Sequence, residues 1–191
     1  MGEASDLSAI AAVAQGCTKC GLAEARNSVV FGVGNPRAAL MFVGEGPGAD
    51  EDAQGLPFVG RSGKLLDRLL KEEMGLERES VYITNVVKCR PPENRDPKPE
   101  EIAECAPYLQ QQLAHIRPRV IVTLGNPATK TMLQTTTGIT KLRGTSHTFN
   151  YPGGSATLVP TFHPSAVLRN QLNLPLIRAD FVAAKQILLS Q

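Results

Sequence analysis

The feature that most constrains this chain is a set of four short apolar runs, each closing on a polar or glycine-containing turn. Residues 38–43 run into Gly44-Glu45-Gly46-Pro47-Gly48, and residues 81–84 into Asn85-Val86-Val87-Lys88-Cys89. Residues 119–124 run into Gly125-Asn126-Pro127, and residues 157–162 into His163-Pro164-Ser165. Continuous apolar runs of this length, rich in β-branched residues, fit strands buried on both faces. Helical patterns fill the gaps. Leu65, Leu66, Leu69, Leu70 and Met74 make one stripe that begins after Ser62 and stops at Gly75. Pro99 suits a first helical position, Glu100 and Glu101 suit the positive end of a helix dipole, and Ile102, Ala106, Leu109, Leu113 and Ile116 then share a face. Strands alternating with helices predict a parallel α/β sheet.

Ligands of open α/β sheets bind at the carboxyl ends of the strands. Glu45, Asn85, Asn126 and His163 all stand just past predicted strand ends, so the topology should bring them to one edge. Taken alone, Glu45 reads equally well as an exposed turn carboxylate, and His163 as a structural histidine pinned by Pro164. Together with a carboxamide on a neighbouring strand end, they read as a site. Pro47 removes an N–H that a phosphate nest would use, and the segment matches neither GxGxxG nor a P-loop. Its glycines instead let backbone approach a ligand closely. Ser165 is in place to cap a helix whose N-terminus meets a phosphate. Phe58 reads as a core aromatic or as a stacking platform.

Four cysteines fall into a tight C-x2-C pair, Cys17 and Cys20, and a wide pair, Cys89 and Cys105, with fifteen residues between them. Four thiolates can hold zinc or a [4Fe–4S] cluster, and the wide second pair departs from the short spacing of zinc fingers. The segment of residues 90–97, with Pro91, Pro92 and Pro97, excludes regular helix.

The 191 residues suffice for one domain with a real core, and we expect residues 1–191 to form it. A hydrophobic fraction of 42% and a charged fraction of 20% exclude a disordered chain. Net charge is only +2, and the pI of about 8.4 lies below the value of about 9 that would by itself signal nucleic acid. Any DNA binding must therefore be local. Lys88, Arg90, Arg95 and Lys98 gather in one loop, Lys141 and Arg143 in another, and Arg169 follows His163; a solvated surface accounts for most such residues. Residues 1–6 show no basic region or long apolar run, Asp6 breaks a myristoylation pattern, and no stretch nears the roughly 18 apolar residues of a membrane span. The expectation is a soluble cytoplasmic protein.

At this point the motifs GEGPG, GLPFVGRSGKLLD, TNVVKCRPPENRDPKP, TLGNPA, KLRG and TFHPSAVLR, with the four cysteines, resemble family-four uracil-DNA glycosylases in order and spacing, from about Cys17 to Arg169. The resemblance implies a three-layer α/β/α sandwich around a four-stranded parallel sheet. It also implies a [4Fe–4S] cluster on Cys17, Cys20, Cys89 and Cys105, away from the reacting bond. The implied site has Glu45 as catalytic carboxylate and His163 as leaving-group histidine. Gly46 and Pro47 supply pocket backbone, Glu51 lines the pocket near the C5 edge of the base, Phe58 stacks on it and Asn85 reads it. Ser165 and Arg169 would contact DNA. The implied substrate is uracil in single- or double-stranded DNA, cut by a monomer. A relative that traps uracil-DNA covalently uses a histidine in an inserted basic loop; residues 90–99 here hold none, which implies turnover.

Overall fold

The computed structural model describes residues 7–191, so the targeting reading of residues 1–6 lies outside the described residues. The chain opens with two helices, α1 (Leu7–Gln15) and α2 (Leu22–Ala25), and a short strand β1 (Val33–Gly34). Next come β2 (Leu40–Gly44), α3 (Ala49–Gln54) and α4 (Arg61–Leu69), which continues as a π-helical turn to Met74. Strand β3 (Tyr82–Asn85) leads through an irregular loop into α5 (Pro99–Ile116) and β4 (Val120–Leu124). The rest is α6 (Asn126–Leu133), α7 (Ile139–Leu142), β5 (His147–Tyr151), β6 (Gly154–Thr161), α8 (Pro164–Arg169) and α9 (Leu174–Ser190).

Among the described residues the sheet has six strands in the order β1-β3-β2-β4-β6-β5. This corrects the expected four-stranded parallel sheet. The four apolar runs supply the inner strands β3, β2, β4 and β6, which pair in parallel, while β1 and β5 add antiparallel edges. The sheet is therefore mixed. Two-residue β1 carries too little pattern to see, and β5 alternates half-buried with exposed residues, as a one-sided edge strand does. A Pro152-Gly153 turn joins β5 to β6.

Alternation along the inner strands sorts the core into two faces. Met41 and Val43 pack with Tyr82, Ile121 and Leu158 under α1 and α5. Leu40 and Phe42 pack with Ile83, Val122 and Val159 under α4 and α9. Each fully buried side chain of this size contributes about 1.5–3 kcal/mol. Phe42 also stacks on Phe181 of α9 at 5.5 Å. The predicted α4 stripe is the buried face Leu65, Leu66 and Leu69, and Gly75 ends the π turn in the left-handed conformation at φ 67°. Helix α5 begins at Pro99, where Glu101 reaches back to accept the Lys98 N–H at 2.8 Å. No helix among the described residues is long and apolar enough to cross a membrane.

Candidate active site

Parallel pairing sets Gly44 beside Asn85, so the ends of β2 and β3 open at the same level of the sheet. The ends of β4 and β6 complete that edge, and the loops beyond them enclose a pocket of about 690 Å³. Glu45, Gly46, Pro47, Glu51, Phe58, Asn85, Asn126, His163, Ser165 and Arg169 all line it, so the convergence expected from the topology is what the fold produces.

Asn85 lies at the floor, 1% exposed, and its carboxamide Oδ1 has no hydrogen-bond partner among the described residues. A buried acceptor left unpaired costs about 1–3 kcal/mol. Its place depends on Gly44, because a Cβ there would come within 2.4 Å of Asn85 Oδ1 and 2.7 Å of the Phe58 ring. Phe58 itself sits at φ 51° and is buried, with its ring 5.6 Å from the His163 imidazole and tilted by 33°. That strained backbone is held from two sides. Glu51 accepts from the Val59 and Gly60 N–H groups at 2.9 and 3.0 Å, and Gly63 lets the first turn of α4 lie against the Phe58 carbonyl. Glu51 also accepts from Gly48 N at 3.2 Å. It lines the pocket, but its oxygens are committed to backbone, a use the sequence reading did not foresee.

His163 caps α8. Its Nδ1 accepts from the Ser165 N–H at 3.1 Å and lies 2.8 Å from Ser165 Oγ. This corrects the reading of Ser165 as the cap: Pro164 takes the first helical position, so the residue before it must fill that role. With Nδ1 accepting, the neutral ring carries its proton on Nε2. Burial pulls the imidazole down to about 4, aided by the Arg169 charge and opposed by Glu51. The ring is thus neutral and an Nε2–H donor at pH 7. Gly125, at φ 91°, passes so close that a Cβ would meet His163 Cβ at 2.9 Å. Asn126 reaches the pocket wall, yet its Oδ1 accepts from Ile139 N at 2.8 Å and anchors α7.

Glu45 is half-buried, and desolvation, then the carboxyl of Asp96, push it up to about 7. Its carbonyl accepts from Val87 N at 3.0 Å, which ties the Glu45 backbone to the segment leading to Cys89.

On the far side of that segment, Cys17, Cys20, Cys89 and Cys105 line one small pocket with Arg26, Lys88 and Tyr108. Lys88 N donates to Cys105 Sγ at 3.2 Å, and Arg26 Nη1 to Cys89 Sγ at 3.5 Å. Burial pushes the Cys89 thiol up to about 11 and raises that of Cys105. Among the described residues no three His, Cys, Asp or Glu side chains stand close enough to hold a single metal ion. Lys88 is not a surface cation. It is fully buried and donates to Thr84 Oγ1 (2.6 Å), the Asn85 carbonyl (2.8 Å) and Gln112 Oε1 (2.5 Å), with burial pulling it down to about 7.

The family description of the uracil DNA glycosylase superfamily matches residues 31–188. The chain belongs to that superfamily. Among curated relatives, the type-4 uracil-DNA glycosylase of Thermotoga maritima is 51% identical over 158 residues, 82% of this chain and 80% of the relative. The type-4 enzyme of Saccharolobus solfataricus is 46% identical over 190 residues, 97% and 88% of the two chains. That of Sulfurisphaera tokodaii is 47% identical over 175 residues, 90% and 80%.

In this uracil DNA glycosylase superfamily member, several site residues escaped the sequence reading. Asp96 and Arg61 line the pocket, although the proline-rich loop and the GRSG turn gave no periodic signal for either. Asp52 accepts from Asn27 N, Asn27 Nδ2 and Ser28 N at 2.7–3.1 Å, binding the cysteine-bearing N-terminal segment to α3. Two of the basic residues noted in the sequence are spent inside the fold. Arg143 pairs with buried Asp180 at 2.6 Å, and Arg95 with buried Glu101 at 2.6 Å.

Proposed function

We propose that this protein flips uracil out of DNA and hydrolyses its N-glycosidic bond, leaving an abasic site. The observation that carries the reading is Asn85, which lines the pocket with a buried carbonyl oxygen that has no hydrogen-bond partner among the described residues. Uracil offers N3–H to that oxygen and O4 to the amide nitrogen of the same side chain. Cytosine offers an acceptor at N3 and an amine at C4, so both contacts turn repulsive, and a site built on buried hydrogen bonds discriminates strongly. That the relatives named above are uracil-DNA glycosylases agrees with that substrate.

Cleavage of C1′–N1 develops positive charge on the sugar and negative charge on the departing base. Glu45, as the carboxylate, stabilises the sugar cation and orients the attacking water. His163, neutral with Nε2–H free to donate, stabilises the anion at uracil O2. Phe58 offers the flipped base a stacking partner. Gly46 and Pro47 form the backbone wall, and Glu51 acts through the Phe58 segment that it holds. Ser165 and Arg169 engage the DNA phosphates, as a chain of low net charge requires of its pocket rim.

Cys17, Cys20, Cys89 and Cys105 would hold a [4Fe–4S] cluster. Four sulfurs around one pocket, two of them receiving N–H donors, suit thiolate ligation. When bound, the cluster supplies a cross-link between the N-terminal segment and the loop after Asn85. The enzyme is proposed to act as a cytoplasmic monomer of one domain, residues 1–191, on single- and double-stranded DNA. Incubation with an oligonucleotide holding one uracil, followed by alkali, should break the strand at that base and leave a cytosine control intact. An unbroken uracil strand overturns the reading.

A further inference from the structure

We propose that Lys88 is a positioning residue for base reading: its buried ammonium pins the Asn85 carbonyl and so fixes the direction in which the Asn85 carboxamide enters the pocket. This rests on the role of Asn85 proposed above. Lys88 leaves the chain three residues past Asn85, and its stem folds back on the end of β3. There Nζ donates to the Asn85 carbonyl at 2.8 Å, to Thr84 Oγ1 at 2.6 Å and to Gln112 Oε1 of α5 at 2.5 Å. The two side-chain acceptors are themselves fixed. Gln112 spends its amide nitrogen on the Phe31 carbonyl at 2.8 Å and on Tyr82 OH at 3.2 Å, so Oε1 is what it presents to Lys88. Thr84 Oγ1 donates to the same Phe31 carbonyl at 2.7 Å. Thr84, Lys88 and Gln112 are all fully buried.

Stability alone gives no reason for a lysine here. All three of its acceptors are neutral, whereas Arg143 and Arg95 meet the buried carboxylates of Asp180 and Glu101. A buried charge whose partners carry no counter-charge is costly, and an apolar side chain of similar length would fill the space at lower cost. What an apolar side chain lacks is three donors on one atom. One of those donors goes to the residue that carries the unpaired pocket acceptor.

That bond completes the hold on the Asn85 backbone. In the sheet Asn85 pairs with Gly44 of β2, and the N–H of Val86 donates to the Gly44 carbonyl at 2.9 Å. The peptide joining Asn85 to Val86 is thus held at both polar atoms, its N–H by Gly44 and its carbonyl by Lys88. A peptide held at both ends does not rotate, so the Asn85 side chain leaves the backbone in one direction. The side chain needs that hold, because Oδ1 has no partner of its own among the described residues. A misplacement of about 1 Å in a positioned group can lower a rate on the order of 10²-fold.

The test is a double-mutant cycle in single-turnover uracil excision, with iron content and affinity for abasic-site DNA measured on each variant. Lys88→Met keeps the stem and the backbone N–H that serves Cys105 Sγ, and loses only the three donors. It should slow excision by about 10- to 10²-fold. Affinity for abasic-site DNA should stay at the wild-type level, because that DNA has no base for Asn85 to read. In an Asn85→Ala background the same change should alter the rate by less than about twofold. Thr84→Val, which removes one acceptor of Lys88, should also slow excision, and Thr84→Ser should restore it. If Lys88→Met fails to fold or to hold iron, Thr84→Val takes its place in the cycle. A loss that persists in full in the Asn85→Ala background overturns the positioning role and leaves the proposed function standing, as does wild-type excision in both Lys88→Met and Thr84→Val. Wild-type excision in Asn85→Ala instead overturns the proposed base reading, and the role of Lys88 with it.

Discussion

The pocket and the cysteine lobe are the two ends of one short stretch of chain, residues 85–89, and they are built on opposite plans. At the pocket end the polar groups are organised by the polypeptide alone. Glu51 is saturated by backbone, His163 is fixed in tautomer by its own helix, and Asn85 Oδ1 stays unpaired against Gly44. At the cysteine end burial raises the thiols of Cys89 and Cys105, and in the proposed reading a bound cluster takes the place of their protons. One end is preorganised for a ligand that comes and goes. The other, in the proposed reading, is completed by a cluster that stays. Lys88 stands between them, with its amide on Cys105 Sγ and its ammonium on the Asn85 carbonyl, so disorder at one end has a direct route to the other.

The largest effect should come from breaking the cysteine end. Replacing both Cys89 and Cys105 by serine should abolish bound iron and sulfide and lower Tm by on the order of 10 °C. Hydrogen exchange should show α1 and α2 losing protection while β2 and β4 keep theirs. Uracil excision should fail with them. If excision persists at the wild-type rate in iron-free protein, the two ends are independent and the comparison is wrong.

Within the pocket, Glu45→Ala and His163→Ala should each slow the chemical step by on the order of 10²-fold or more, with DNA affinity changing far less. In the proposed mechanism each meets charge that exists only in the transition state. Wild-type single-turnover rates in both variants would remove these residues from the mechanism. Asn85→Asp should act on choice of base as well as rate. It replaces the amide donor to O4 with an oxygen, so uracil excision should fall by on the order of 10²-fold, and any gain on cytosine should be slight because the new charge is costly to bury. Uracil excision at the wild-type rate in both Asn85→Asp and Asn85→Ala would make Asn85 a turn residue.

How legible the molecule is in its sequence follows the same division. The inner strands were readable because residues 40–44 and 120–124 are buried throughout and so carry no charged residue. Their carboxyl ends then placed Glu45, Asn85 and His163 at one pocket. Strand β5 was not readable, because its residues alternate between half-buried and exposed and its hairpin signal is the Tyr-Pro-Gly-Gly turn rather than an apolar run. In helix α9, Ile177, Phe181 and Ala184 keep helical spacing, but buried Asp180 breaks the apolar face, and only its tertiary pairing with Arg143 and Thr161 explains a carboxylate there. Lys88 and Asp96 look like surface charges in the sequence. Lys88 donates to Gln112, 24 positions away, and the charge of Asp96 raises Glu45, 51 positions away, where no local pattern reaches.

The smallest expected effect separates the pocket's two titrating groups by the sign of their influence on stability. His163 has a folded value near 4 against an ordinary value of 6.5. Between those pH values the unfolded chain binds a proton that the folded chain refuses, so His163 removes stability as pH falls from about 6.5 to 4. The loss should reach on the order of 1–3 kcal/mol. Glu45 is raised from 4.5 to about 7, so its contribution is fully present below 4.5 and is lost as pH rises through 7. Solvent screening of this half-exposed group limits it to about 1 kcal/mol. The two slopes oppose one another in the wild type, so each must be read by difference. Urea unfolding of Glu45→Gln should expose the uncompensated fall toward pH 4, and His163→Asn, which keeps a capping side chain without a titration, should remove it. If His163→Asn falls as steeply as the wild type between pH 6.5 and 4, the imidazole titrates normally in the folded protein. Its neutrality would then no longer be something the pocket imposes in advance of DNA.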